Sequence, residues 1–177
     1  MWATMRQLPF LVAVMMGLVQ CNDQVEGAGH CPDLFTDVEG TCYYFSSDMG
    51  IEATWNDSLA ACKELGDGLG HMNVGLAELG TSSCGCATPD IKLMETVSAK
   101  GAHVWLGASD ANHDGIWIWQ ESQQQLHLEN SMWDNIEPNG GTDENCLIAT
   151  VWSGYHNRPL LNDYPCTYTW SYVCQLF

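Results

Sequence analysis

The 177-residue chain carries five Lys and Arg against 22 Asp and Glu, a formal charge of −17. That balance repels phosphate, which makes nucleic acid and anionic membranes poor partners and leaves divalent cations as the obvious class. Hydrophobic residues at 46% with charged residues at 15% exclude a disordered acidic tail, and the length suits one domain behind a short leader.

The leader comes first. Arg6 precedes an apolar run over residues 10–19, too short to span a bilayer and the right length for a secretory signal core. Cleavage is expected after Cys21, or somewhat later in the 27–29 stretch. Residues 1–21 are therefore read as a signal peptide, 22–30 as a polar lead-in and 31–177 as one secreted, extracellular domain. No second apolar run of membrane length follows, so membrane insertion is not expected. Cysteine parity agrees. Of nine Cys, loss of Cys21 leaves an even set: Cys31, Cys42, Cys62, Cys84, Cys86, Cys146, Cys166 and Cys174. An oxidising compartment expects such a set to be bridged. Cys84-Gly-Cys86 has the wrong spacing for a zinc knuckle, and no second close pair answers it. Asn56-Asp57-Ser58 is an N-glycosylation sequon, usable at Asn56 in a secreted chain.

Residues 31–35 and 41–45 read as two strands around a Glu39-Gly40 turn, and a Cys31–Cys42 bridge would staple that hairpin. Residues 54–65 predict a helix capped by Thr54, with Asp57 in its first turn and Gly66 ending it. Trp55, Leu59, Cys62 and Leu65 share its apolar face. One short strand is expected around 72–76. Thr88-Pro89-Asp90 opens a second helix, with Ile91, Met94, Val97 and Ser98 as its buried stripe and Lys100-Gly101 closing it. Strands follow at 103–107, 115–119, 146–152 and 168–175, with a long polar region over 120–145. The order of elements says α+β. A structureless loop of about 20 residues inside a compact domain is often functional.

Two constellations could carry chemistry. Asp110-Ala-Asn112-His-Asp114-Gly115, with Glu121 eleven positions after Asp110, matches the EF-hand pattern. Its flanks are strand-like rather than helical, so an EF-hand is rejected; a solvated acidic turn or a partial calcium site remains. The second is Glu137-Pro138-Asn139, then Asp143-Glu144-Asn145, then Asn162-Asp163. These are carboxylates and amides only, the oxygen ligands calcium takes in sets of six to eight. No Lys or Arg lies between Lys100 and Arg158 to neutralise the acids. The X-Pro bond at Glu137 also allows a cis peptide.

The ordered set of these pieces resembles the C-type lectin domain over nearly all of 31–175. The matching residues are Cys31-Pro32, Cys42-Tyr43, Trp55, Cys62, Val104-Trp105-Leu106-Gly107 and 115–119. Trp133, Glu137-Pro138-Asn139, Asn162-Asp163, Cys166 and Cys174 complete the order. The resemblance implies a disulfide-stapled fold of two helices, antiparallel strands and a long calcium-binding loop region. It implies pairing of Cys62 with Cys174 and Cys146 with Cys166, with Cys31–Cys42 marking the long form of the domain. Cys84 and Cys86 stay open: a small ring with each other, or bridges to a second chain and so a homo-oligomer.

By the same resemblance, Glu137, Asn139, Glu144, Asn162 and Asp163 would hold one Ca2+. Two neighbouring sugar hydroxyls would complete its shell, each donating to a carboxylate and accepting from an amide. Glu137 with Asn139, and Glu144 with Asn162, would be those sugar-binding pairs. Glu-Pro-Asn is the arrangement the family associates with mannose-type glycans. The implied role is a soluble lectin that binds microbial surface glycans and agglutinates or opsonises cells in innate immunity. An auxiliary calcium site would use Asp110, Asp114 and Glu144, but its last acid falls at Gly140, and Leu161 stands where the family usually has Trp. No His-Glu-x-x-His or Gly-x-Ser-x-Gly motif occurs, so an enzyme is not expected. The rival reading is a lectin-like fold that binds a protein or another non-sugar ligand.

Overall fold

The structure, a computed structural model, describes residues 30–80, 89–101, 103–126, 132–151 and 160–177. The signal-peptide expectation, the lead-in up to residue 29, Cys84, Cys86 and the Thr88 cap lie outside them.

Among the described residues, eight strands form one connected sheet system: β1 (Thr36–Val38), β2 (Thr41–Phe45), β3 (Val74–Leu76), β4 (Val104–Ser109), β5 (Ile118–Trp119), β6 (Cys146–Thr150), β7 (Leu160–Tyr164) and β8 (Ser171–Leu176). The order is β1-β2-β8-β4-β6-β7, with β3 also paired to β8 and β5 to β4. The β4–β8 pair is parallel and the others are antiparallel. The hairpin expected at the start begins later than its cysteine: 31–35 is not strand, and β1 starts at Thr36.

Helix α1 (Trp55–Gly68) starts as its sequence predicts. Thr54 is the N-cap, and its Oγ1 accepts from the Asp57 N–H at 3.2 Å. Gly66 does not end it; the helix runs one turn fraction further and closes at Leu69. Gly66 is buried, and a Cβ there would collide with the Met72 carbonyl, so the residue serves close packing rather than termination. Asn56 is exposed on this helix, whereas Ser58 of the sequon is buried and its Oγ donates to the Thr54 carbonyl at 2.8 Å.

Helix α2 (Pro89–Lys100) buries Leu93, Met94 and Val97, while Ile91 is exposed. The expected stripe begins at Ile91, but the structure buries Leu93 two positions on, and Ser98 is only half-buried. Gly101 closes the helix at φ 66°, its N–H shared between the Val97 and Ser98 carbonyls. Lys100 reaches Asp48 at 2.6 Å and lies over the Phe45 ring at 4.5 Å, so its charge is met by a carboxylate as well as by the helix end.

Strand alternation divides the interior in two. Tyr43, Phe45, Val104, Leu106, Leu147 and Val173 face the α2 side with Trp117, Trp119 and Leu161. Tyr44, Trp105, Ile148, Tyr172 and Cys174 face the α1 side with Trp55 and Cys62. Two indoles lock the layers through their N–H groups: Trp55 to the Leu106 carbonyl at 2.8 Å and Trp105 to the Ala53 carbonyl at 3.0 Å. Among the described residues, three disulfides join Cys31–Cys42, Cys62–Cys174 and Cys146–Cys166. These are the pairings the resemblance implied.

The polar sequence Asn162-Asp163 gave no strand expectation, yet both residues lie on β7. Leu160 and Leu161 are buried, and the ladder to β6 runs without a break from Thr150↔Leu160 to Cys146↔Tyr164. Leu161 fills its place in the core completely. Among the described residues no helix is long and apolar enough to cross a membrane.

Candidate functional site

The outer edge of β7 organises the site. The Leu161 N–H donates to the Met132 carbonyl at 2.9 Å, and its carbonyl accepts from Asp134 N–H at 2.8 Å. With the Trp133–Leu161 bridge, these bonds lay the segment from Met132 onward along the strand. A turn over 134–137 follows, closed by Glu137 N–H to the Asp134 carbonyl at 3.1 Å, with Ile136 at φ 71°. The Glu137–Pro138 bond is cis. Beyond it the backbone folds back onto β7: Asn139 N–H donates to Asp163 Oδ1 at 3.1 Å and Gly140 N–H to Oδ2 at 2.7 Å. A short 3-10 turn (Gly141–Asp143) then delivers Glu144 and leads into β6.

This path brings Glu137, Glu144, Asn162 and Asp163 together. Asn162 Nδ2 donates to Glu137 Oε1 at 2.9 Å. The sequence suggested Glu137 beside Asn139 and Glu144 beside Asn162; the structure instead sets Glu137 over the edge of β7, where Asn162 is the amide within reach. Asn139 joins through its backbone, and its side chain is exposed. Asp163 is 2% exposed. Both of its oxygens are held by main-chain donors.

Burial, reinforced by crowding of like charge, sets the electrostatics of the site. Burial, then the neighbouring Asp163 carboxylate, pushes Glu137 up from 4.5 to about 7, with Glu144 and Asp134 adding to the effect. Glu144 is raised too, by burial first and then by Asp163 and Asp143. Glu137 Oε2 is buried with no hydrogen-bond partner.

The auxiliary residues divide. Asp110 is buried beside the start of β6; its N–H reaches the Asn145 carbonyl at 3.3 Å and its Oδ2 accepts from Gly115 N–H at 2.9 Å. Its Oδ1 has no partner, and burial, followed by Asp114 and Asp163, raises its pKa. Asp114 is exposed. Gly140 lies directly against the Glu144 side chain, so that even a Cβ there would overlap Glu144 Cβ and Cγ. The acid expected after Glu-Pro-Asn therefore has neither a side chain nor the room for one here.

The donor set suits calcium. It is all oxygen: three carboxylates, with Asn139 and Asn162 as amide carbonyls. Among the described residues no three His, Cys, Asp or Glu side chains converge closely enough to hold a metal by themselves. A cation here would draw on the amides as well. The unpartnered oxygens of Glu137 and Asp110 and the raised Glu137 pKa are what a cation would relieve. Sequence reasoning missed Asp134 and Ile136. Asp134-Asn135 is a turn pair that could have marked the first, but nothing in Ile136 signals a left-handed residue.

No family model matches the chain. Among curated proteins it is 26% identical over 147 residues to CD209 antigen-like protein C of Mus musculus, covering 82% of this chain and 68% of that protein. It is 30% identical over 135 residues to the CD209 antigen of Macaca mulatta, covering 69% of this chain but only 30% of that protein. Solved structures include the C-type lectin CEL-I from Cucumaria echinata, with a TM-score of 0.63, 16% identity and coverage of 84% of this chain and 99% of that one. A Ca2+-dependent type II antifreeze protein in its Ca2+-free form has a TM-score of 0.62 at 21% identity, covering 83% and 100%. The chain thus has the C-type lectin-like fold, and C-type lectin domain proteins are among its homologues.

Proposed function

We propose that the protein is a secreted, calcium-dependent lectin with mannose-type specificity. Members of the C-type lectin family are generally binding proteins rather than enzymes. The observation that carries the reading is the grip of Asp163 on the Asn139 and Gly140 N–H groups, which gathers the Glu-Pro-Asn segment, Glu144 and the Asn162-Asp163 pair on one strand edge. Glu137, Asn139, Glu144, Asn162 and Asp163 would hold the ion. Glu137, Asn139, Glu144 and Asn162 would also meet two adjacent sugar hydroxyls as acceptors and donors. Bound there, calcium would supply the positive charge that offsets these crowded carboxylates. The biological target in this reading is microbial surface glycan. Because a shallow site binds single sugars weakly, useful avidity would come from a homo-oligomer.

Retention on immobilised mannose in calcium, release by chelator and passage through a galactose column is the expected result. Passage through both columns by folded protein would overturn the sugar reading. It would favour the second one, a non-sugar ligand, to which the likeness to a type II antifreeze protein lends support.

A further inference from the structure

Two exposed apolar side chains occupy backbone positions that disfavour them. Ile136 is the third residue of the 134–137 turn at φ 71° and is 78% exposed. Leu34 is the third residue of a turn closed by Phe35 N–H to the Pro32 carbonyl at 3.0 Å, at φ 76° and 67% exposed. That position suits Gly or Asn, and for a β-branched residue it is a true outlier. Neither side chain recovers the strain through burial. They differ in their neighbours. Leu34 adjoins the β1–β2 hairpin at one end of the sheet order, whereas Ile136 adjoins Glu137 at the β7 end. Strain held next to a binding group, with an apolar side chain turned to solvent, points outward to a ligand.

Resting on the lectin reading above, we propose that Ile136 selects glycans bearing a methyl-containing substituent near the bound diol: an acetamido group or a 6-deoxy methyl. A sugar hydroxyl set against Ile136 loses water and gains no hydrogen bond. A methyl set there removes apolar surface on both sides, which favours it by about three- to fivefold. Mannose, with hydroxyls at these positions, lacks that gain.

The test measures competition by methyl glycosides of N-acetylglucosamine, fucose and mannose against immobilised mannose in calcium. The proteins are the full chain, Ile136→Gly, Ile136→Asn and Leu34→Gly. Gly and Asn both accept the backbone conformation, so these variants fold. The preference for N-acetylglucosamine or fucose over mannose is expected to fall about three- to fivefold in both Ile136 variants and to stay unchanged in Leu34→Gly. The sugar whose ratio moves identifies which methyl is read. Ratios unmoved in both Ile136 variants would overturn the assignment while leaving the lectin reading in place. No calcium-dependent binding of any of the three sugars by the parent protein would overturn both.

Discussion

The strands around β8 and the segment from Met132 to Asn145 are held by opposite kinds of chemistry. Around β8, Cys174, Val173, Trp105 and Tyr172 are buried among apolar neighbours, and the Cys62–Cys174 bridge ties α1 to the last strand. Along 132–145 the chain is held chiefly by polar groups: the Asn139 and Gly140 N–H groups donate to the buried Asp163 carboxylate of β7, and Glu137 Oε2 is buried without a partner. The first region stores stability. The second spends some of it to keep like charges close, the arrangement expected where function and folding pull apart.

The largest effect should come from cutting the first region. Replacing both Cys62 and Cys174 by Ala opens a loop spanning 112 residues and should cost about 4–5 kcal/mol in urea unfolding. The same change at Cys146 and Cys166, 20 residues apart, should cost about 3 kcal/mol. Equal losses would break the picture of a scaffold stapled chiefly at α1 and β8.

Glu137→Gln tests the second region, because it should move binding and stability in opposite directions. It keeps an acceptor for Asn162 but removes a charge. Calcium-dependent retention on mannose should be lost. In chelator at pH 8 the thermal midpoint should rise by about 2–4 °C, the shift for roughly 1 kcal/mol once a half-exposed group is discounted for solvent screening. A variant less stable than its parent in chelator would refute the strained-cluster account.

The pH dependence sharpens the same point. Glu137 binds its proton more tightly in the folded state, at about 7 against an ordinary 4.5. The calcium-free parent therefore has the stabilising protonation in full below 4.5 and loses it as pH rises through about 7. The gap between parent and Glu137→Gln should close as melts in chelator are moved from pH 8 down to 4.5. A gap independent of pH would assign the effect to packing. The smallest effect belongs to the scaffold: Thr54→Ala should cost about 1 kcal/mol through the lost helix cap, with calcium affinity unchanged by titration calorimetry.

What the sequence made legible follows the same division. The Thr54 cap, the extent of β2, the existence of α2 and the apolar strands β4 and β6 are local signals, and they stand in the structure. The disulfide pairing was not local; it came with the family resemblance. Strand β7 was missed because Asn162 and Asp163 look like loop residues, although Leu160 and Leu161 beside them supply the buried pair that a strand needs. Gly66 read as a helix stop because glycine commonly ends helices, and its close approach to the Met72 carbonyl exists only in the folded chain. The site residues were legible as an inventory of oxygen ligands. Their partners were not, since Glu137 meets Asn162 only after the segment has wrapped the edge of β7.

The grip of Asp163 on Asn139 and Gly140 has a kinetic side. Two main-chain bonds already fix the turn of the chain after Pro138 to a strand of the sheet. On the calcium reading proposed above, an arriving ion would not first have to capture and order a wandering loop, so most of its encounter would be spent shedding water rather than waiting on the protein. Association should then run close to the pace set by cation dehydration and by the attraction of a strongly anionic chain. Differences in affinity among variants of this segment would accordingly show themselves in how long the ion stays.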